Sequence, residues 1–469
     1  MLDQSFSADN FRKILDYENR KGIYLEELFF QPDVVHLSAE IKECNDQYKI
    51  IKSQKENLGI DEFNIRRKAI NNKKTEIKTK KDNLIYDELK KFSEIASKKE
   101  FNFSLLKKSD PIFHKPIYAV ENKPEYYFAM KQIQNNFRYI YKVKQANRYS
   151  VVSQIKTLLG DGFPKIVVRT DIKNFYESIP HNSFLKKLNE DSLLSFQTRQ
   201  LLYKLLKGYE KISGVEGKGI PRGIGISAYL AEFFMRGIDA EIRQMDDVYY
   251  YARYVDDIIV MFTPCNDGSF PDYISNIQQI IQSDQHNLTL NLTKSKFFDL
   301  REPQQTSRKL EYLGYEITFL KDSRDVSVGM TRRKVIKYCH RINVAFYNYH
   351  KERKVHEKRA RKMLLKRLRY LTSNTRLKSR KQHVIIGIFY SNSLIDDMAG
   401  VETIDKFLKS KILRNKLAPA FRNRLLKFSF KRGFEGRTFS PFKTNELSKL
   451  VNIWRYPIAY EGKKKTHTL

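Results

Sequence analysis

Asp256 and Asp257 stand side by side at the midpoint of Tyr249–Phe262, YYYARYVDDIIVMF, a stretch largely aromatic and β-branched. Such a stretch reads as buried sheet, where ionised carboxylates are costly unless they are paired or bind metal. Strand character on both sides of the acids predicts a hairpin with the acids at its tip. Two carboxylates driven toward one point call for a divalent ion. An ordinary polar turn is the competing reading.

A second acidic position accompanies them. In KIVVRTDIKNFYESIPH, Asp171 ends the β run Ile166-Val167-Val168, and an amphipathic stretch follows with Phe175, Ile179 and Phe184 as its apolar positions. In-line phosphoryl transfer by two metals needs carboxylates from separate strands, holding ions roughly 3.5–4 Å apart. Mg²⁺ prefers few carboxylates and many waters or phosphates, which suits a shallow site of two or three Asp. Read alone, Asp171 is equally a helix N-cap.

Five segments in chain order over about residues 140–320 resemble the palm of reverse transcriptases. Asp171 with Phe175-Tyr176 is similar to the first catalytic motif. GKGIPRGIGIS, residues 217–227, resembles the second, a Gly-rich turn leading into a helix under template and nucleotide, with Gly223 and Ser227 against nucleic acid. Tyr254-Val255-Asp256-Asp257 resembles the YxDD signature. Leu290-Asn291-Leu292-Thr293-Lys294-Ser295 resembles the fourth motif, whose Lys lies near the triphosphate. Leu310-Glu311-Tyr312-Leu313-Gly314-Tyr315 resembles the primer-grip hairpin, with Gly314 against nucleic acid. The resemblance implies an RNA-directed DNA polymerase using two Mg²⁺ ions, with Mn²⁺ as a substitute. Asp171 and Asp256 would be principal ligands, Asp257 supporting, and the Ile172 carbonyl a further ligand. Tyr176 would be the steric gate: a ring against C2′ leaves no room for a ribose hydroxyl, so dNTPs are expected over rNTPs.

Arg222 stands where the commonest pattern has Gln, and Ser227 is followed by Ala228 where that pattern has Pro. Asp-Ile-x-x-Phe-Tyr-x-Ser-Ile, the Leu230-Ala231-Glu232 run, Arg369–Asn374 (RYLTSN) and Gly387–Asn392 (GIFYSN) resemble bacterial abortive-infection and defence-associated reverse transcriptases. The N-terminal LDQSFSADNFRKI…ENRKG is most similar to the first enzyme of type 3 defence systems, which pair two reverse transcriptases with a noncoding RNA. That resemblance implies antiviral defence, a noncoding RNA as template or scaffold, a DNA product, and a second polymerase chain or higher oligomer as partner. Two other readings stay open: template-independent or protein-primed synthesis on the same fold, and a non-catalytic nucleic-acid-binding effector.

The charge agrees with a polyanionic partner. Lys and Arg number 87 against 54 Asp and Glu, a formal net charge of +33 over 469 residues. Such an excess favours nucleic acid, bound in a strongly salt-dependent way. No long apolar run, signal peptide or lipidation motif points to a membrane. Cys44, Cys265 and Cys339 are far apart and make no zinc spacing, which fits a reducing cytoplasm, bacterial by the resemblance above.

The fold expected is α+β, a right-hand polymerase: a helical N-terminal extension (1–105), fingers and palm (106–320), then a helical thumb and C-terminal domain (321–469). Residues 63–99 carry dense Lys with Ile70, Ile77, Leu84, Ile85 and Leu89 spaced as a helix, either a solvated hairpin or an RNA-binding arm. Tyr139–Lys144 alternates and reads as a strand. Lys142, Lys144 and Arg148 could meet the incoming triphosphate, or form a basic surface. Arg169 could reach the triphosphate or template, or bridge to a palm carboxylate. Arg222 and Lys294 are further nucleotide-binding candidates, with Lys294 placed to protonate pyrophosphate. Residues 331–380 hold eighteen Lys/Arg against Glu352 and Glu357. There Val335, Tyr338, Ile342 and Phe346 recur at helical spacing, leaving Arg332, Arg333, Lys337 and Arg341 for duplex phosphates. Residues 381–469 read as further helices, with Val384-Ile385-Ile386 as core and a disordered basic tail at 461–465.

Overall fold

Ile166, Val167 and Val168 are buried on both faces of their strand, and so are Ile258 through Phe262. A run with no polar alternation needs cover on two sides, which a strand has only in the middle of a sheet. The computed structural model places both runs there. It describes residues 2–56, 58–109, 116–264, 272–379 and 382–454. Cys265 and the 461–465 tail lie outside these residues.

The described chain forms two compact units, each discontinuous in sequence. The first comprises residues 1–108, 117–144 and 176–234, and the second 109–116, 145–175 and 235–469.

The first unit is mainly helical. Ser7 caps the helix Ala8–Arg20 by accepting from the Asn10 N–H. Pro32–Ser53 and Ile60–Ala96 form a helical hairpin around Leu37, Cys44 and Ile77. Its Lys-rich outer face is exposed, as the spacing of Ile77, Ile85 and Leu89 requires. Strands β1 (Leu105–Ser109) and β2 (Pro116–Val120) make a ribbon. Tyr139–Tyr141 corrects the strand expectation: these residues close the helix Pro124–Tyr141, which stops at Lys142 in the left-handed region. Phe137 and Tyr141, four residues apart, pack with their rings tilted at 5.1 Å, and Tyr141 lies 4.4 Å from Phe233. Packing of that helix face overrides the β propensity of Tyr and Ile.

The second unit holds the sheets. β3 (Ile166–Asp171), β4 (Val248–Tyr254), β5 (Asp257–Phe262) and β6 (Lys296–Asp299) form an antiparallel sheet in the order β4-β5-β3-β6. β7 (Arg308–Tyr312), β8 (Tyr315–Phe319) and β9 (Val326–Met330) make a meander. One core runs from Val152 and Ile155 through Val167 and Ile317 to Ile342, Phe346, Leu364 and Leu408. Ile342 and Phe346 belong to the long basic helix Arg332–Thr372, which breaks at His356. β10 (Asn374–Ser379) and β11 (Gln382–Gly387) pair as a hairpin. Val384-Ile385-Ile386 is therefore strand, not helix, and Val384 is 50% exposed. Three β-branched residues in a row favour extended backbone. The RYLTSN and GIFYSN segments meet, the buried Asn374 side chain accepting the Phe389 N–H at 3.0 Å. The α+β expectation holds, with every strand pairing among β3–β11 antiparallel.

Candidate active site

Antiparallel register sets the first relation in the site. Asp171, the last residue of β3, lies opposite Asp257, the first residue of β5. Tyr254 pairs with Asp257 across the β4–β5 hairpin, leaving Val255-Asp256 as a two-residue turn. The acids are thus at a hairpin tip, as the flanking strands predict. Val255 has φ +62°, a conformation that is a genuine outlier for a β-branched residue. The Ile172 N–H donates to the Asp256 carbonyl at 3.2 Å and ties the turn to the end of β3.

Asp171 is 6% exposed. Its Oδ2 accepts from Lys294 Nζ at 2.6 Å, while its buried Oδ1 has no hydrogen-bond partner. Asp257 Oδ1 accepts from Arg169 Nε at 2.9 Å, and Arg169 Nη1 donates to the Lys294 carbonyl at 3.1 Å. Burial pushes the Asp257 carboxyl up to about 6; Arg169 opposes the rise, and the nearby Asp256 and Asp171 charges reinforce it. Tyr312, from β7, donates its hydroxyl to the Asp257 carbonyl at 3.1 Å.

Among the described residues, no three His, Cys, Asp or Glu side chains are gathered as a ready-made metal-binding set. The cluster nevertheless fits a hard divalent cation chemically. Its donors are all oxygen, one buried carboxylate oxygen is unpartnered, and burial raises the Asp257 carboxyl; a cation would answer both.

The other predicted positions lie in separate settings. In the first unit, the Arg222 guanidinium sits over the Tyr176 ring at 5.6 Å and pairs with Glu177 at 3.1 Å. The Gly-rich turn is bound to β2, for the Tyr118 N–H donates to the Arg222 carbonyl at 2.7 Å. Gly223 has φ +101°, and a Cβ there would lie 2.4 Å from Ile117 Cγ2; only glycine fits. Ser227 Oγ donates to the Pro221 carbonyl at 2.7 Å. Lys144 is exposed.

In the second unit, Arg148 is held at the β7–β8 turn. Its Nε donates to the Leu313 carbonyl at 2.9 Å and its guanidinium lies 5.4 Å from the Tyr315 ring centre. Leu313 and Gly314 both have positive φ, which is the two-residue turn that matches strand twist. Lys334 crosses the same ring at 4.5 Å and donates to Asn392 Oδ1 at 2.8 Å. Arg332, Arg333 and Lys337 are exposed on the basic helix. Arg341 sits by Trp454, 5.9 Å from its ring.

Two groups of residues escape the sequence reading. Glu177 and Lys334 carry no motif signal. Arg253 and Asp239 do leave a trace: an Arg inside a buried strand and an Asp inside the apolar helix Ser227–Arg243 each need a partner. They find each other, Arg253 Nε and Nη2 forking onto Asp239 at 2.7 and 2.8 Å.

Residues 114–317 match the family described as reverse transcriptase (RNA-dependent DNA polymerase). The matched segment is a reverse transcriptase domain within the chain, and it contains Asp171, Asp256 and Asp257. No curated protein matches it. Among solved structures it is similar to apo telomerase from Candida tropicalis truncated from its C-terminal domain, at 13% identity and a TM-score of 0.30, over 52% of this chain and 60% of that one. It is also similar to telomerase from Candida albicans in complex with the TWJ fragment of telomeric RNA, at 11% identity and a TM-score of 0.35, over 72% and 68%. The chain thus spans less than two thirds of the first telomerase, and at these scores neither likeness assigns a role. No helix among the described residues is long and apolar enough to cross a membrane.

Proposed function

We propose that the protein copies a noncoding RNA into DNA from dNTPs, as part of antiviral defence in the bacterial cytoplasm. The observation that carries the polymerase reading is the register of Asp171 against Asp257 across β3 and β5, with Asp256 in the adjoining turn. The defence role, the RNA, and a second polymerase chain or higher oligomer rest on the quoted motifs. So does the division into fingers, palm and thumb.

In this reading Asp171 and Asp256 hold two Mg²⁺ ions, with Asp257 and the Ile172 carbonyl in support. When bound, the ions supply Lewis-acid stabilisation to the attacking and leaving oxygens. Lys294, whose side chain is 57% exposed, leaves Asp171 when its charge is no longer needed there. It is then free to give a proton to the departing pyrophosphate. Arg169 stays on Asp257 and keeps that carboxylate ionised. Tyr176, held by Arg222, excludes a 2′-hydroxyl. Arg332, Arg333, Lys337 and Arg341, with the turns at Gly223 and Gly314, contact the nucleic acid.

The test is to purify the protein with its bound nucleic acid and supply each labelled dNTP or rNTP with Mg²⁺, beside Asp256→Ala. Incorporation of particular dNTPs, lost in the variant and after RNase treatment, is expected. Incorporation insensitive to RNase would replace this reading by untemplated or protein-primed synthesis. A protein that protects cells with Asp256→Ala in place would be a binding effector instead. Tyr176→Ala should raise rNTP use about tenfold or more; an unchanged ratio would remove the gate.

A further inference from the structure

The turn that carries Asp256 does not hold its shape by residue choice. Only the first of its two central residues, Val255, has positive φ, and in such a hairpin turn that place belongs to glycine. A β-branched residue stays there only if its surroundings over-determine it. The surroundings are specific. Arg253 Nη1 donates to the Val255 carbonyl at 2.8 Å. The rest of the Arg253 fork is locked on Asp239, through Nε at 2.7 Å and Nη2 at 2.8 Å. Asp239 Oδ1 accepts in addition from the Tyr251 hydroxyl at 2.6 Å. Arg253 and Asp239 are both buried, so this is a charge-assisted, bidentate pair in a fixed plane. On the other side of the turn the Ile172 N–H holds the Asp256 carbonyl. Successive carbonyls are thus gripped from two directions, and the direction of the Asp256 side chain follows from them.

We propose that Asp239 and Arg253 are positioning residues for Asp256, acting through the Val255 carbonyl to hold the strained turn in the form that presents this carboxylate to metal. The inference rests on the polymerase reading for its consequence, and on hydrogen-bond geometry for its mechanism. Lysine cannot replace the arginine. It has one nitrogen, which cannot fork onto Asp239 and reach Val255 together. Asparagine at 239 keeps the shape but removes the charge that orients the fork.

The experiment compares wild type, Arg253→Lys, Asp239→Asn, Val255→Gly and the double variant Arg253→Lys with Val255→Gly. Three quantities are read: melting temperature, Mn²⁺ affinity from the spin-resonance signal of the free ion, and kcat and KM for dNTP incorporation. Folded Arg253→Lys and Asp239→Asn proteins should bind Mn²⁺ about tenfold more weakly and lose about ten- to a hundredfold in kcat, with KM for dNTP little changed. Glycine takes positive φ without help, so Val255→Gly should restore much of the loss in the double variant. A loss that came only from a weakened fold would lower the melting temperature and would not be rescued at Val255. Unchanged Mn²⁺ affinity and kcat in folded single variants would overturn the proposal, and so would failure of the glycine rescue. A wild-type protein that binds Mn²⁺ but incorporates nothing would overturn the polymerase reading alone, and the ranking of Mn²⁺ affinities would still decide the clamp.

Discussion

The second unit contains two charge clusters of opposite sign, and they are resolved differently. At the β3–β5 junction, Asp171 and Asp257 are each held by a cation of the protein, Lys294 and Arg169. At the β7–β8 turn, Arg148, Lys334 and Lys337 gather with no carboxylate in ion-pair range among the described residues. Their described donors go to the Leu313 and Ser391 carbonyls and to Asn392 Oδ1, and two of the cations lie over the face of Tyr315. Burial, with Arg148 and Lys337 adding repulsion, pushes Lys334 down to about 7. The acidic cluster is balanced as it stands, so holding a metal, as proposed, would require it to exchange partners. The basic one has no balancing carboxylate among the described residues, an arrangement that would favour a phosphate contact.

The strongest way to break this contrast is to remove an acid. Asp256→Ala should reduce incorporation about a thousandfold or more while the protein stays folded. Residual activity within tenfold of wild type, measured with labelled dNTP, would mean that the cluster is an ion-pair network without metal. Removing a cation at the other cluster should act on binding instead. Lys334→Met is expected to weaken nucleic-acid affinity about tenfold and to flatten its dependence on salt by about one unit of slope. Fluorescence anisotropy across a KCl series reads both, and an unchanged slope would exclude a phosphate there.

Two smaller effects sharpen the comparison through pH. Lys334 in the free protein loses its proton near pH 7, and a phosphate beside it would raise that value. Nucleic-acid binding at pH 8 should therefore take up a proton, and affinity should fall as pH rises above about 7. Calorimetry in buffers of different ionisation heat measures the uptake, which Lys334→Met should abolish. Asp257 runs the other way. Its carboxyl is raised to about 6, so below that pH it is protonated and a proton competes with the metal. The Mg²⁺ concentration for half-maximal activity should rise a few-fold between pH 7 and pH 5.5. If it stays flat, Asp257 is not coupled to the metal.

Much of this site was legible in the residues. Adjacent acids amid β-branched neighbours foretold the hairpin tip, because few places in a sheet tolerate charge. The run before Asp171 foretold a strand ending at that acid; that the strand is central emerges only from the sheet order. The glycines at 223 and 314 marked turns that a Cβ would obstruct. Legibility ended where local propensity and packing disagree. Tyr139–Tyr141 looked extended but is helical because Phe137, Tyr141 and Phe233 pack together. Val384–Ile386 was read as helical core but pairs as strand, since β-branched residues can serve either and only the partner strand decides.

What the chain determined by itself is the kind and order of its chemical groups: three acids, the Tyr176 ring, a surplus of cations, and the strand runs that carry them. These follow from local composition and from period-two patterning. What only the tertiary structure decided is which charge answers which. Arg169 chose Asp257 over a ligand, Arg148 was drawn to the Leu313 carbonyl, and Asp239 met Arg253 from fourteen residues away to brace Val255. Pairings of this kind depend on distances between elements and on burial, and neither is a property of any one segment.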